Sequence, residues 1–242
     1  MTYLSEFVGS LIFLLGGYCY MSNITLKNTQ VGKLNFVELS FAWSLAVGFG
    51  LCIAVILGGP ALLNPGVVFG QLITGGITLS QGLMYLLMEF LAAGAAVALT
   101  VINFYDSFKE SEGISKRGIF SAYPVQKNLV LNVIQEICAT FVFLFLVLSA
   151  VNFTEGKTAA LQIGVIGFAA VFFLSLTLNL TGFSMNAMRS VFSSIWFAIL
   201  PIPHKDGEKV DWGYQLVVNL VGSSIGGILA VLAVNAAMAA LG

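Results

Sequence analysis

The chain has 242 residues, of which 58% are hydrophobic and only 9% are charged, whereas charged residues make up about a quarter of an average soluble domain. This composition predicts an integral membrane protein and excludes a soluble globular one. The formal charge of −1, without any long basic run, argues against nucleic acid as a partner.

Six apolar stretches are long enough to cross a bilayer, which takes about 20 mostly apolar residues. The first stretch carries Glu6 and lacks a cationic start, so we expect a retained helix rather than a signal peptide. Most of the charge lies in residues 22–35, 104–128 and 199–212, which are predicted to be water-exposed loops. The six predicted spans are about 3–21, 36–57, 82–103, 129–151, 159–181 and 213–240.

Two further apolar segments are too short to cross a bilayer. Residues 58–76 carry no charge, and a helix from Asn64 to Thr74 would be about 16 Å long, roughly half of a bilayer core. Residues 186–198 are similar and begin at Asn186. Because Asn is a strong helix N-cap, both segments are predicted to be re-entrant half-helices, which need protein or a water-filled cavity around them.

The two halves of the chain repeat. Glu6 lies in the first span, and Glu136 lies at the matching depth of the fourth. Three spans per half invert the second half across the membrane relative to the first. The predicted fold is therefore an all-α integral membrane protein with six transmembrane helices, two re-entrant half-helices and an inverted 3+3 repeat. We expect one domain over residues 1–242, with repeat one at about 1–105, a connecting loop at about 106–128 and repeat two at about 129–242.

The assembled features resemble the aquaporin, or major intrinsic protein, family, and within it the bacterial glycerol facilitators. The resemblance covers the full length and rests on the two intramembrane Glu residues, two Asn motifs and the segments 118–124 and 181–185. It implies a homotetramer in which each subunit carries its own pore. Two departures stand out. The usual Asn-Pro-Ala motif reads Asn64-Pro65-Gly66 and Asn186-Ala187-Met188, and Leu62 replaces the usual His.

The resemblance implies roles for the two Asn residues that begin the half-helices and for the two Glu residues in the spans. Asn64 and Asn186 would cap the half-helices with their side-chain oxygens and direct their amide NH2 groups into the pore. The two helix N-termini would add positive partial charge that repels protons and cations. Glu6 and Glu136 would accept hydrogen bonds from the half-helix loops and hold the two Asn residues in place.

A selectivity constriction is also implied by the resemblance. Arg189, Trp43 and Phe183 match its usual members, and Leu174, twelve residues before Asn186, is the position expected from the fifth span. Aromatic walls suit the carbon edge of a polyol, while Arg189 binds hydroxyl groups. Ser190 stands where glycerol facilitators usually have Asp, and Leu174 is bulkier than their usual residue.

The expected function is a passive channel for glycerol and other small uncharged solutes, with water passing too. One alternative is a channel mainly for water or for neutral small acids such as lactic acid. A different class is a proton-coupled secondary transporter that uses Glu6, Glu89 and Glu136. No HExxH or GxSxG motif suggests an enzyme, and we expect neither a cofactor nor a metal. Glu89 would need either a partner across a subunit boundary or a protonated side chain.

The expected location is the cell membrane, surrounded by lipid, with both termini in the cytoplasm as in the family. Loop charge points the other way, because cations near membrane spans favour the cytoplasmic side. We follow the family, since the half-helix geometry is nearly symmetric and the flux is passive. The loops that would lie outside carry Lys27, Lys33, Lys109, Lys116, Arg117, Lys127, Lys205 and Lys209, against only Lys157 inside.

Overall fold

The computed structural model describes residues 2–31, 35–154, 156, 158–205 and 207–241. Lys33 and Lys157, which enter the charge comparison, lie outside these residues. Six helices within them are long and apolar enough to cross a membrane, and two apolar helices are shorter, so the predicted fold class is confirmed. In chain order the helices are α1 (Thr2–Thr25), α2 (Phe36–Ile56), α3 (Pro65–Thr74), α4 (Leu79–Asn103), α5 (Tyr105–Glu110), α6 (Arg117–Phe120), α7 (Leu129–Phe153), α8 (Ala159–Thr177), α9 (Met188–Ile199) and α10 (Trp212–Leu241).

The two halves of the chain pack their helices in matching ways. Helix α1 contacts α2 and α4, just as α7 contacts α8 and α10. Helices α2 and α8 meet across the centre. Each half-helix also lies against the last span of the other half, α3 on α10 and α9 on α4. This pairing is the arrangement expected of an inverted repeat with both half-helices inside the bundle.

Glycines allow the closest helix crossings. A Cβ added to Gly48 of α2 would lie 2.8 Å from the carbonyl oxygen of Gly164 in α8, and the reverse contact is equally short. Where α3 meets α10, a Cβ on Gly227 would lie 2.6 Å from the carbonyl carbon of Gly66. A larger residue would push these helices apart, so small residues set the spacing of the bundle.

The fifth span ends earlier than predicted, at Thr177 rather than near residue 181. The chain leaves the helix because two groups beyond it turn inward to Glu136. The Thr181 hydroxyl donates to Glu136 Oε2 at 2.6 Å, and the Met185 N–H donates to Oε1 at 2.5 Å. Hydrophobicity continues past Thr177, so the apolar pattern alone overestimates the length of this helix.

Two helices contain π-helical turns that the sequence pattern does not predict. Met188–Phe192 opens α9, and Gln215–Gly222 follows the first turn of α10. The Gln215 and Asn219 side chains leave the second of these turns and donate to the Ala122 carbonyl, at 3.1 and 3.2 Å. These bonds attach the connection between the two repeats to α10.

The connection 104–128 is packed into the protein and is not the water-exposed loop that its charge predicts. It contains α5 and α6, and Phe108, Ile119 and Phe120 are fully buried. The Phe120 ring lies 5.3 Å from that of Tyr18 in α1, measured between centroids. Apolar residues in this segment therefore override its charged composition and cover one end of the bundle.

Candidate functional site

An elongated cavity of about 280 Å³ runs beside α2 inside the bundle. Residues from Phe36 to Leu51 of α2 line it, which corresponds to about 22 Å of helix. Most of the lining is apolar, and the polar side chains come from several distant segments. These polar residues are Ser40, Asn64, Ser121, Tyr123, Ser175, Asn179, Ser184, Asn186 and Arg189.

The two half-helices begin at capped ends beside this cavity. Asn64 Oδ1 accepts from the Gly66 N–H at 2.9 Å, and Asn186 Oδ1 accepts from the Met188 N–H at 2.9 Å. Both Asn side chains line the cavity. A side-chain acceptor at this position satisfies one of the free N–H groups of a helix start. The positive ends of both half-helices are therefore directed at the same region.

The two Asn residues also tie the half-helix loops to each other. The Asn64 NH2 donates to the Met185 carbonyl at 2.8 Å, and the Asn186 NH2 donates to the Leu63 carbonyl at 2.7 Å. An amide NH2 carries two hydrogens, so each Asn keeps a second donor beyond this crossed pair of bonds. The crossing fixes the distance between the two helix starts.

The residues before each Asn adopt the same unusual backbone conformation. Ala61 and Leu63 have φ of 51° and 44°, and Phe183 and Met185, at the matching positions, have 60° and 45°. Positive φ is unfavourable for residues other than Gly and persists only where the surroundings hold it. The repeat is therefore visible in the backbone of the loops as well as in the helices.

Glu6 and Glu136 hold these loops. Glu6 accepts from the Leu62 and Leu63 N–H groups at 3.2 and 2.5 Å. Glu136 accepts from the Met185 N–H and from the Thr181 hydroxyl, as described above. Both carboxyls are fully buried. Bonds to backbone N–H groups compensate part of the cost of burying a carboxylate.

Arg189 lies in the cavity lining with 6% of its surface exposed. Its guanidinium carbon is 4.8 Å from the centroid of the Trp43 ring, a cation–π distance. Its Nη1 lies 3.4 Å from the Ser190 hydroxyl. Trp43 and Phe183 both line the cavity as well, so three of the four residues expected at a constriction meet there.

Leu174 is the exception, because the structure does not bring it into the cavity lining, and its role at the constriction stays a prediction. Its side chain is fully buried and does not belong to the cavity lining. Val171 and Ser175, on either side of it in α8, line the cavity instead. Counting back twelve residues from Asn186 assumes a known backbone conformation between Leu174 and Asn186. The helix ends between them, at Thr177, so the count does not fix which side chain of α8 faces the cavity.

Sequence reasoning also missed two supports of the site. The Tyr18 hydroxyl of α1 donates to the Arg189 carbonyl at 2.9 Å and bonds the Ser193 hydroxyl at 2.5 Å. Thr181 supports Glu136. A polar aromatic in an apolar span is the signal that could have indicated Tyr18. Thr181 belongs to the segment 181–185 that carries part of the resemblance, but it also lies in a stretch that reads as membrane span, so its bond to Glu136 is not indicated by the sequence.

Within the described residues, no group of three or more His, Cys, Asp or Glu side chains is placed to hold a metal ion. The site is instead made of amides, hydroxyls, one guanidinium and aromatic rings. These groups can bind and orient a small polar molecule. Such a path can select a solute by size and hydrogen bonding without changing it chemically.

A sequence model of the family described as major intrinsic protein matches residues 1–234. The chain belongs to the major intrinsic protein family. As a family member with six apolar helices of spanning length, it is a multi-pass membrane protein. The family assignment agrees with the paired half-helices, which the repeat predicts.

This major intrinsic protein is similar along most of its length to several bacterial proteins. It is 32% identical over 232 residues to glycerol uptake facilitator protein 2 of Lactiplantibacillus plantarum, which covers 94% of this chain and 95% of the relative. It is 33% identical over 235 residues to the glycerol uptake facilitator protein of Streptococcus pneumoniae, with the same coverage. It is also 27% identical over 231 residues to the D/L-lactic acid transporter of Lactiplantibacillus plantarum, covering 94% and 93%.

Among solved structures, the chain is similar to the aquaglyceroporin from Plasmodium falciparum. The TM-score is 0.81 at 19% identity, and the match covers 99% of this chain and 97% of the other. At this identity the likeness shows the fold. It extends over both repeats of this major intrinsic protein.

Proposed function

We propose that this protein is a passive channel for glycerol and other small uncharged solutes, through which water also passes. The observation that carries the proposal is the Arg189 guanidinium stacked on Trp43 within the cavity. A guanidinium has five N–H donors, and among the described residues its side chain bonds only Ser190, at 3.4 Å. The other donors are available to solute hydroxyls, while Trp43 and Phe183 offer apolar surface to the carbon edge of a polyol.

The two Asn residues complete the path. Each retains an amide hydrogen after bonding the opposite loop, so a passing hydroxyl or water oxygen can accept from both. Such a molecule cannot donate to either Asn NH2, which interrupts a chain of proton-donating waters. The half-helix N-termini also repel cations. Neutral solutes are therefore favoured over ions, and an enzymatic role is not proposed.

The names of the relatives support glycerol, and one of them supports a second candidate. Two of the most similar proteins are glycerol uptake facilitators, and a more distant one is a D/L-lactic acid transporter. A channel for a neutral small acid is compatible with the mostly apolar lining and with donors at Arg189. A proton-coupled transporter is less well supported, because Glu6 and Glu136 both accept hydrogen bonds from the half-helix loops and neither residue lines the cavity.

We further propose a homotetramer in the cell membrane with both termini in the cytoplasm. Large apolar side chains cover the outer surface, as contact with lipid or with a neighbouring subunit requires. Phe49 and Phe173, for example, are 58% and 60% exposed. Cross-linking of the purified protein would give a four-subunit product as its largest abundant species.

Liposome swelling tests the solute directly. Purified protein is reconstituted, and shrinking and reswelling are followed by light scattering in glycerol, in lactic acid near its neutral form, and in a non-permeant sugar. Glycerol should enter much faster than into protein-free liposomes, with a rate linear in the gradient and unaffected by uncouplers. Glycerol entry at the protein-free rate would overturn the proposal, and fast entry of lactic acid alone would favour the second candidate.

Arg189→Ala tests whether the cavity is the path. Removing the guanidinium widens the constriction and removes its donors, so polyols larger than glycerol should gain entry relative to glycerol. Lys109→Ala is the control, since Lys109 is an exposed cation of α5 that lies over the Tyr105 ring, outside the cavity lining. Equal solute profiles for the two variants would exclude Arg189 from the path.

A further inference from the structure

Glu89 is an acid in α4 for which the path described above has no role. Its side chain is fully buried within one subunit, so it is not available to a neighbouring subunit. It faces the Glu6 carboxyl and the backbone N–H of Asn64. Neither of its oxygens makes a hydrogen bond of ordinary length and angle to a described residue. The Glu6 and Glu89 carboxyls are therefore buried next to each other behind the first half-helix loop.

The hydrogen-bond donors and acceptors around Glu6 and Glu89 are matched only if one of the two carboxyls is protonated. Two buried carboxylates side by side repel each other and lose their hydration, and neither Glu6 nor Glu89 forms an ion pair with a described residue. Glu6 already accepts two backbone N–H bonds, which favour its charged form. A neutral Glu89 has one O–H donor and one acceptor oxygen, and its two polar neighbours are an acceptor and a donor.

In the second repeat, the buried Glu136 receives its side-chain hydrogen bond from Thr181. Glu136 accepts one backbone N–H and one hydroxyl, from Met185 and Thr181. The last span places Gly222 beside Glu136, where a Cβ would lie 3.1 Å from the Glu136 Cβ, so α10 offers no side chain there. In the first repeat the donors to Glu6 are backbone groups only, and α4 brings Glu89 to the place that an added O–H donor would occupy.

We propose that Glu89 is a neutral carboxylic acid whose O–H donates a hydrogen bond to the Glu6 carboxylate. It is a positioning residue, because it acts on the path through the loop 61–64 rather than by touching the solute. That loop carries two residues at positive φ and presents the Asn64 side chain and the Leu63 carbonyl to the second half-helix. Loss of the donor leaves Glu6 under-satisfied and loosens the start of α3.

Infrared spectra of reconstituted protein near neutral pH test whether Glu89 is protonated. The carbonyl-stretch band of an un-ionised carboxylic acid should appear in the difference between wild type and Glu89→Gln. It should be absent from the difference between wild type and Glu110→Gln, which makes the same chemical change at an exposed position of α5. A Glu89→Gln difference that contains only carboxylate bands would overturn the proposal.

Glycerol flux through variants of Glu89 tests the positioning role, and this part rests on the proposed function. Gln keeps a donor and an acceptor, so Glu89→Gln should retain most of the flux. Glu89→Leu lacks both and should lose roughly fivefold or more, because a buried acceptor is left without its donor. Equal losses in the two variants would refute the role. If Glu89→Leu does not fold, the infrared experiment and the glycerol flux of Glu89→Gln still test the proposal. A wild type without glycerol flux would contradict the proposed function and not the protonation of Glu89.

Discussion

Val171 and Leu174 lie about one turn apart on α8 and have different surroundings. Val171 contributes to the cavity lining, whereas Leu174 is fully buried between helices. A side chain in the lining affects which solutes fit, while a side chain packed between helices affects stability. The difference separates two roles that the same apolar residue type can have.

Val171→Phe should therefore reduce glycerol flux more than water flux, since the larger ring occupies space through which the wider solute must pass. The matched control is Val165→Phe on the same helix, where the side chain is 55% exposed and faces away from the cavity. Swelling rates in glycerol and in an impermeant osmolyte give the two fluxes. Unchanged glycerol selectivity in Val171→Phe would place the narrow part of the path elsewhere.

The two half-helices start alike but differ in one residue. Pro65 follows Asn64, and Ala187 follows Asn186. Ala187 has φ of −63°, close to the value that the Pro ring enforces, and the N–H groups of the first helical turn have no partner within the helix. The start of α9 therefore has the φ angle that Pro would impose although Ala187 stands there, because the Asn186 cap and the crossed Asn bonds hold the backbone in place.

Ala187→Pro should raise the free energy of unfolding by about 0.4–1 kcal/mol, because Pro restricts the unfolded chain at a position whose native φ it already matches. Pro65→Ala should lower the free energy by a similar amount. Thermal unfolding in detergent, followed by tryptophan fluorescence, measures both. A lower midpoint for Ala187→Pro would mean that the buried surroundings of Ala187 cannot accept the ring.

The segments at the charged end of the bundle are joined by an ion pair. Asp211 pairs with Lys127 and also caps the start of α10 by accepting from the Tyr214 N–H at 3.2 Å. The hydrogen bond from Lys127 lowers the pKa of the Asp211 carboxyl below its ordinary value. A lowered folded-state pKa stabilises the protein above the ordinary Asp pKa, and this contribution is lost as the pH falls through the folded-state value.

Asp211→Asn should thus be less stable than wild type by a constant amount above about pH 5, and the difference should shrink as the pH falls below about 4. Unfolding midpoints of the two proteins across this range give the difference. Asp106→Asn, at an exposed position of α5, controls for a general charge effect. A difference that persists undiminished in acid would assign the effect to the altered cap instead of the ion pair.

At the scale of the whole molecule, the described residues contain six helices long and apolar enough to span a membrane, and an even number of spans would put both termini on the same side. The family arrangement puts that side in the cytoplasm and the charged connections 104–128 and 199–212 outside. The positive-inside rule favours the reverse, because the cations cluster in those connections. The packed connection 104–128 shows that its charge belongs to a folded cap over the bundle rather than to a simple tether.

Single cysteines decide the orientation. In a protein whose native Cys19, Cys52 and Cys138 are replaced, Glu110→Cys should react with a membrane-impermeant maleimide in intact cells, and Thr158→Cys should react only after lysis. Both positions are exposed in the structure. The opposite labelling pattern would mean that loop charge, not family geometry, sets the orientation.

Much of the fold can be predicted because its signals are local. Hydrophobic length marks the spans, and Asn64 and Asn186 mark helix starts inside uncharged segments. The short stretch after Thr177 was predicted wrongly, because its composition suits a membrane while its hydrogen bonds go to Glu136. The placement of Trp43 and Arg189 follows from the family pattern, whereas the support from Tyr18 comes from a residue far away in the chain.

The sequence by itself determined the membrane class, the inverted repeat and the paired half-helices of this protein. The membrane class and each half-helix depend on residue type within one segment, and the repeat depends on the same signals recurring in the same order in both halves. Only the tertiary structure decided that Val171 and not Leu174 lines the cavity, that the two Asn residues bond each other's loops, and that Glu89 faces Glu6. These are contacts between segments that lie far apart in the chain, and no local pattern encodes which of their side chains meet.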